Sequence, residues 1–145
     1  MLEVAPASYL YDCHGWTFTG GEKWINNDQV PTILEDNGYS AVSGGQAQVG
    51  DLVIYREFGK IKRSGIVTAV DGAGNATQIE SKWGCYGLYR HPPWVVPAGY
   101  GEPEYWRTSR PGGHRLISFT PQQFLLLLLL LLLLKLLHAV MIWVV

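Results

Sequence analysis

Cys13, near the start of the chain, has the sequence context that points most directly to chemistry. It lies in a short run that passes from polar to aromatic residues, Asp12-Cys13-His14-Gly15-Trp16. Aspartate caps helices well, so this run predicts a short helix that begins near Cys13. Because the positive end of a helix dipole lowers the pKa of a thiol, Cys13 is a candidate nucleophile.

Three strand patterns follow Cys13 and could bring other polar groups to it. They are Gly50-Asp51-Leu52-Val53-Ile54-Tyr55, Arg63-Ser64-Gly65-Ile66-Val67 and Gln78-Ile79-Glu80-Ser81-Lys82. A thiol hydrolase needs a base that takes the proton of the thiol, and a further polar group that orients the base. Arg63 begins the second of these patterns, and its guanidinium stays protonated at any accessible pH. Its charge would favour a thiolate and could pair with Glu80, but it cannot shuttle a proton.

Other polar and aromatic residues are candidates for lining a substrate groove. His14 adjoins the cysteine, so on a helix its side chain points about 100° away and would cap an element or line the cleft. His91 lies in a predicted loop after Trp83 and could fold over the site as a substitute base. Trp16 and Trp83 flank the proposed site and could form the floor of a groove. The structural alternatives stay open, since free cysteines and tryptophans often pack in cores and strand carboxylates are commonly exposed.

Composition limits the classes of protein to which the chain can belong. Its 145 residues are enough for one domain with a modest core, and its net charge of -1 gives no field that favours nucleic acid. We find no nucleic-acid motif and no metal-ligand spacing of His and Cys, and we expect no cofactor. Two cysteines are too few for a disulfide scaffold, although one bridge between Cys13 and Cys85 stays open.

The order of the elements predicts an α+β domain over residues 1–120. A helix near Cys13 and a second helix from Asn27 or Asp28 to Asn37 come first, followed by a polar loop over 40–50. The rest of the domain is an antiparallel run of strands. The predicted strands are Asp51–Glu57, Ile61–Val70, Thr77–Lys82, Glu104–Thr108 and His114–Phe119.

The last segment, residues 121–145, is almost purely apolar and contains ten consecutive leucines followed by Lys135. A helix over 124–145 would span roughly 33 Å, which matches the hydrocarbon core of a bilayer. Lys135 costs about 2.5–3.5 kcal/mol there, but each of the many leucines contributes roughly −0.3 to −0.6 kcal/mol. We therefore expect a transmembrane anchor at 124–145. The alternative is a low-complexity run that a misread frame would produce.

With these elements in order, the chain resembles the NlpC/P60 and CHAP superfamily of papain-like cysteine peptidases and amidases. Three segments carry the resemblance over about residues 10–118. The family's nucleophile at the start of a helix is similar to Asp12-Cys13-His14-Gly15-Trp16. The family's Gly-Asp-Leu strand is similar to Gly50-Asp51-Leu52-Val53-Ile54-Tyr55. The family's strand with a His-x-Gly-Ile/Val pattern is similar to Arg63-Ser64-Gly65-Ile66-Val67. The resemblance implies a papain-like fold, with N-terminal helices packed on an antiparallel sheet. It also implies that Cys13 is the nucleophile, that Arg63 occupies the base position, and that Glu80 or Ser81 is the third polar group.

Three functional hypotheses follow and stay open. The first is a thiol peptidase or amidase, slowed by the loss of its base, whose substrate by resemblance is a peptide or amide such as a cell-wall peptide. The second is an inactive module of the same fold that binds a peptide or a glycan. The third is a scaffold that acts where the apolar tail holds it. We expect the domain at a membrane, on its cytoplasmic side because arginines precede the span, if the tail is genuine, and in the cytoplasm otherwise.

Overall fold

The computed structural model describes residues 1–116 and 121–143, and in this part of the chain one seven-stranded antiparallel sheet carries the N-terminal helices. The strands are β1 Leu2–Ala5, β2 Ser40–Val42, β3 Leu52–Glu57, β4 Lys60–Val70, β5 Ala76–Lys82, β6 Leu88–His91 and β7 Glu102–Arg107. The helices are α1 Cys13–Thr19, α2 Val30–Asp36 and α3 Pro121–Trp143, with a 3₁₀ helix Asn27–Gln29 before α2. The strand order is β1-β6-β5-β4-β3-β7-β2, so β4 lies at the centre of the sheet.

Both ends of α1 are defined by local groups. The carboxylate of Asp12 accepts the N–H of Gly15 at 2.7 Å and the N–H of Ile25 at 3.2 Å. Gly20 ends the helix with a φ of 71°, a left-handed conformation that glycine adopts at little steric cost. The prediction of a short helix that begins at Cys13 is confirmed. The cap also ties the start of α1 to the segment that leads into α2.

Alternation along the strands divides the core into two layers, one on each face of the sheet. Leu52 and Ile54 of β3 pack with Phe18 of α1 in the first layer, which we call the helix layer. Val53 and Tyr55 of β3 point to the other face. That second layer, which we call the outer layer, also contains Val67, Ile79 and Tyr100. The position of a residue along its strand therefore decides which layer its side chain joins.

The sequence predicts the α+β class correctly, and it predicts β3, β4, β5 and β7 to within two residues at each end. It does not indicate β1, β2 or β6, which have three or four residues each and are too short for a clear alternation. The predicted strand at His114–Phe119 is wrong in its described part, because residues 111–114 form a turn. Residues 117–119 lie outside the described residues.

α3 is a helix that is long and apolar enough to cross a membrane over Leu125–Trp143. These 19 residues correspond to a length of roughly 29 Å. The side chains described along this segment are exposed, and Lys135 is the charged residue near its middle. A continuous apolar surface of this kind is typical of a helix that lipid or another apolar surface covers.

Candidate functional site

The thiol of Cys13 lies at the first position of α1 and is buried, with 1% of the residue exposed. Burial raises the pKa of the thiol to about 11, because a thiolate in that position loses its hydration. The backbone of Ser64 and the charge of Arg63 lower the same pKa, but by less. The expectation that the helix dipole gives Cys13 a low pKa is therefore wrong. The loss of hydration outweighs the effects that lower the pKa, so the thiol is protonated at neutral pH.

Arg63 lies on β4 opposite Tyr55 of β3, so its side chain starts on the outer face of the sheet. Its Nη1 donates to the carbonyl oxygen of Lys62 at 2.7 Å. Its guanidinium carbon lies 5.2 Å from the centroid of the Tyr100 ring, close enough for a cation–π contact. These two contacts hold the guanidinium near Cys13. The Nε of Arg63 is buried and has no hydrogen-bond partner among the described residues.

Cys13 and Arg63 line the same cleft, which has a volume of about 600 Å³. That volume is in the range of pockets that hold small ligands. Two segments complete its wall, one between α1 and α2 and the other in the turn after β5. Besides Cys13 and Arg63, the lining residues are Asp12, Trp24, Asn26, Asn27, Asp28, Gly84 and Cys85. The structure therefore brings together a buried neutral thiol and a fixed positive charge.

Glu80 does not join Arg63, and the expected ion pair between these residues is wrong. The carboxylate of Glu80 pairs with Arg90 of β6, with Nε and Oε2 2.7 Å apart. Glu80 is opposite Ile66 of β4, and Ile66 packs against the helix layer. Since Arg63 and Ile66 are three residues apart on one strand, their side chains leave opposite faces of the sheet. Glu80 therefore acts as a cross-strand partner on the other face.

Ser81, Trp83 and His91 form a hydrogen-bonded group in the structure, and none of them lines the cleft. The Oγ of Ser81 lies 2.7 Å from Nε2 of His91, and the indole N–H of Trp83 donates to Oγ at 3.1 Å. The Nδ1 of His91 lies 2.8 Å from the carbonyl oxygen of Pro92. Burial lowers the pKa of His91, so the ring is neutral at pH 7, with Nδ1–H donating and Nε2 accepting. Ser81 and His91 are both buried, so this group packs inside the domain.

His14 is fully buried beneath the start of α1 and does not line the cleft. Hydrogen bonds join its Nδ1 to Oγ of Ser64 at 2.7 Å and its Nε2 to Oδ1 of Asn27 at 2.9 Å. Burial lowers the pKa of His14, which keeps the ring neutral. Both ring nitrogens are occupied, so His14 joins α1 to β4 and to the 3₁₀ helix and is not placed to serve as a base.

Trp16 also lies away from the cleft. Its ring is covered by Arg115, whose guanidinium carbon is 5.2 Å from the ring centroid. Of the substrate-binding residues expected from the sequence, His14, Trp16, Ser81, Trp83 and His91, none lines the cleft. Their expected role rested on closeness in sequence to Cys13 or to the third strand. Strand alternation and the turn of the helix direct them elsewhere.

The sequence does not mark Lys82 as a residue near the site. This residue is fully buried, its Nζ donates to the carbonyl oxygens of Ser8 (2.9 Å) and Gly84, and it lies 5.1 Å from the centroid of the Tyr11 ring. Burial lowers the pKa of Lys82, and Cys85, Cys13 and Asp12 favour its charged form. Lys82 thus joins the N-terminal segment to the turn that carries Cys85. A lysine on a strand is ordinarily exposed, so no pattern in the sequence marks it.

A separate cavity of about 560 Å³ lies between α1, α2 and Leu116 and contains neither Cys13 nor Arg63. Among the described residues, no group of three or more His, Cys, Asp and Glu is placed to hold a metal ion. Comparisons with protein-family models, with curated proteins and with solved structures find no match to this chain. A functional hypothesis therefore rests on the cleft and on the resemblance in the sequence.

Proposed function

We propose that this chain is a papain-like domain that has lost peptide hydrolysis and binds a peptide in the cleft of Cys13 and Arg63. The proposal joins the resemblance to NlpC/P60 and CHAP peptidases with three observations. A cysteine begins a short helix, that helix packs on an antiparallel sheet, and a central strand places a charged residue beside the cysteine. An α+β domain with this order of elements supports the proposal.

The pairing of Cys13 with Arg63 is the observation that carries the loss of hydrolysis. Amide hydrolysis by a thiol needs a group that removes its proton and later protonates the leaving amine. Arg63 can do neither, because a guanidinium does not release a proton at neutral pH. With a pKa of about 11, Cys13 also stays protonated. Loss of general acid–base catalysis typically reduces a rate by about 10²–10⁴.

No described histidine is placed to take over. His14 and His91 are buried, and hydrogen bonds occupy both ring nitrogens of each. His114 lies by Tyr39, 2.8 Å from its hydroxyl oxygen, and bonds to the carbonyl of Gly50. Neither these three residues nor His138 of α3 lines the cleft. A domain with this cleft can hold a peptide without cleaving it.

The lining of the cleft supports binding of a peptide in particular. The Oδ1 of Asn27 is bonded to His14, but the amide N–H groups of Asn27 and the side-chain amide of Asn26 can match the groups of a peptide backbone. Trp24 has 54% of its surface exposed and can cover an apolar side chain of the ligand. α3 would hold the domain at a membrane, so that the cleft samples peptides near its surface.

The test is to supply the missing base with Arg63→His and to compare it with the natural chain. Each protein is incubated with a mixture of peptides, and hydrolysis is followed by mass spectrometry. Arg90→His is the matched control, because Arg90 lies on the helix face of the sheet, away from the cleft. We expect peptide binding but no hydrolysis by the natural chain and by Arg90→His, and cleavage only by Arg63→His.

Two results would contradict the proposal. Hydrolysis by the natural chain that disappears in Cys13→Ala would show an active enzyme. No peptide binding by any variant would show that the cleft is not a peptide site. The second result can be read directly from binding measurements, so it does not depend on how well Arg63→His places its imidazole.

A further inference from the structure

We infer that Arg63 makes the cleft a receptor for the free α-carboxylate at the C-terminus of a peptide. This inference rests on the proposed peptide-binding function and names the group of the peptide that Arg63 recognises. It depends on an arginine that is fixed in place, lacks a carboxylate partner and faces a cavity.

The arginines of the sheet show how unusual Arg63 is. Arg56 on β3 pairs with Glu104 at 2.8 Å, Arg90 on β6 with Glu80 at 2.7 Å, and Arg107 on β7 with Asp51 at 2.7 Å. Arg63 on β4 forms no ion pair with any described residue, although it is the most central of the four. Its buried Nε lacks an acceptor within the described ranges. The protein shields this Nε, but the guanidinium lines the cleft without an anionic partner in the described part of the chain. Buried charges are generally paired, so a ligand carboxylate would supply the missing counter-charge.

The contacts of Arg63 orient it for a carboxylate. The bond from Nη1 to Lys62 and the Tyr100 ring fix the guanidinium plane, so less side-chain entropy is lost on binding. The two terminal nitrogens of a planar guanidinium present parallel N–H groups that match the two oxygens of a carboxylate. Phosphate would also match this fork, but it lacks the attached peptide that the rest of the cleft can hold.

The charges around the cleft favour an anion beside Arg63. The Cys13 thiol beside Arg63 is neutral, and the buried ammonium of Lys82 behind Gly84 adds a second positive charge. Asp12 also lines the cleft, but its Oδ1 accepts two backbone N–H groups at the start of α1. Asp28 is exposed, so its carboxylate is solvated. A C-terminal carboxylate at Arg63 would therefore find positive charge, with the rest of the peptide running towards Asn26 and Trp24.

The experiment measures whether the carboxylate itself is recognised. The full chain, labelled with ¹⁵N in an uncharged maltoside detergent, is titrated with acetyl-Ala-Ala-Ala, with its C-terminal amide, and with acetate. The Nε–H resonance of Arg63, assigned by its loss in Arg63→Gln, reports binding at the same guanidinium. We expect the acid to bind at least tenfold more tightly than the amide and than acetate, and to shift this resonance.

Variants separate the role of Arg63 from general charge. The preference for the acid should fall to within twofold in Arg63→Gln and be intermediate in Arg63→Lys, which keeps the charge but loses the fork. Arg90→Gln should keep the full preference. Equal binding of acid and amide by the natural chain would overturn this inference and leave the peptide-binding function standing. Acetate binding as tightly as the acid would show a small-anion site instead, and no binding of either peptide would overturn the proposed function together with this inference.

Discussion

At the scale of single residues, the cleft shows how burial can override a local electrostatic effect. Cys13 occupies the first position of a helix, where the backbone favours an anion, and it has a positive charge beside it. Both effects lower its pKa, yet removal of the sulfur from water outweighs them. A cysteine at the start of a helix is thus kept in its unreactive, protonated form.

Alkylation of Cys13 should therefore need high pH. In Cys85→Ser, which leaves Cys13 as the remaining thiol, we expect the rate with iodoacetamide to rise about tenfold per pH unit from pH 7 to pH 10. The reason is that a thiol with a pKa of about 11 is mostly protonated over this whole range. Thiol loss followed by mass spectrometry is the measurement.

A second variant, Arg63→Gln combined with Cys85→Ser, tests the contribution of the guanidinium charge. Removing the positive charge should move the profile to still higher pH, since Arg63 lowers the pKa of Cys13. A rate that levels off below pH 8 would show an activated thiolate and would favour a nucleophilic role.

At the scale of elements, the close approach of β4 and β5 decides what surrounds the cleft. Gly65 lies between Arg63 and Ile66, and a Cβ at this position would meet the carbonyl oxygen of Glu80 at 2.7 Å and Cβ of Ser81 at 2.8 Å. Packing between the two strands therefore explains the glycine of the Arg-Ser-Gly-Ile-Val pattern, independently of any role of Arg63 in the cleft. β5 can approach β4 only because this side chain is missing.

Gly65→Ala should destabilise the domain by about 1–3 kcal/mol, because backbone on a neighbouring strand cannot move away as a flexible side chain could. Gly72→Ala is the matched control. It lies in the turn between the same strands, has no atom within 4 Å of the added Cβ, and should leave stability almost unchanged. Thermal unfolding followed by near-ultraviolet circular dichroism compares the two, and equal melting temperatures would contradict the close approach.

At the scale of the whole molecule, the chain joins a domain with two core layers to a helix that has no polar face. The apolar side chains of α3 need lipid or another apolar surface, because water alone leaves them unfavourably hydrated. Lys135 reduces the gain from insertion, but it is one residue against a long run of leucines.

We expect the full chain to remain in the membrane fraction of expressing cells after extraction with alkaline carbonate. Leu129→Arg combined with Leu133→Arg should release it, since each arginine costs about 2.5–3.5 kcal/mol at the centre of a span. Leu129→Ala with Leu133→Ala keeps the helix apolar and should stay in the pellet. Extraction of the natural chain itself would exclude an anchor.

The sequence alone determines the α+β class, the central strands, the start of α1 and the apolar helix α3. These follow from local patterns: alternation along β3 to β5, a capping aspartate before Cys13 and an unbroken apolar run. A pattern within one segment is enough for each, so no knowledge of distant contacts is needed.

Only the tertiary structure decided which side chains share the cleft. From the sequence, Glu80 and Arg63 are both plausible partners of Cys13. The pairing of β4 with β5, however, places their side chains on opposite faces of the sheet. The high pKa of Cys13 and the occupied rings of His14 and His91 depend on burial by segments distant in sequence. Register and burial are properties of the assembled sheet, so no single segment carries them.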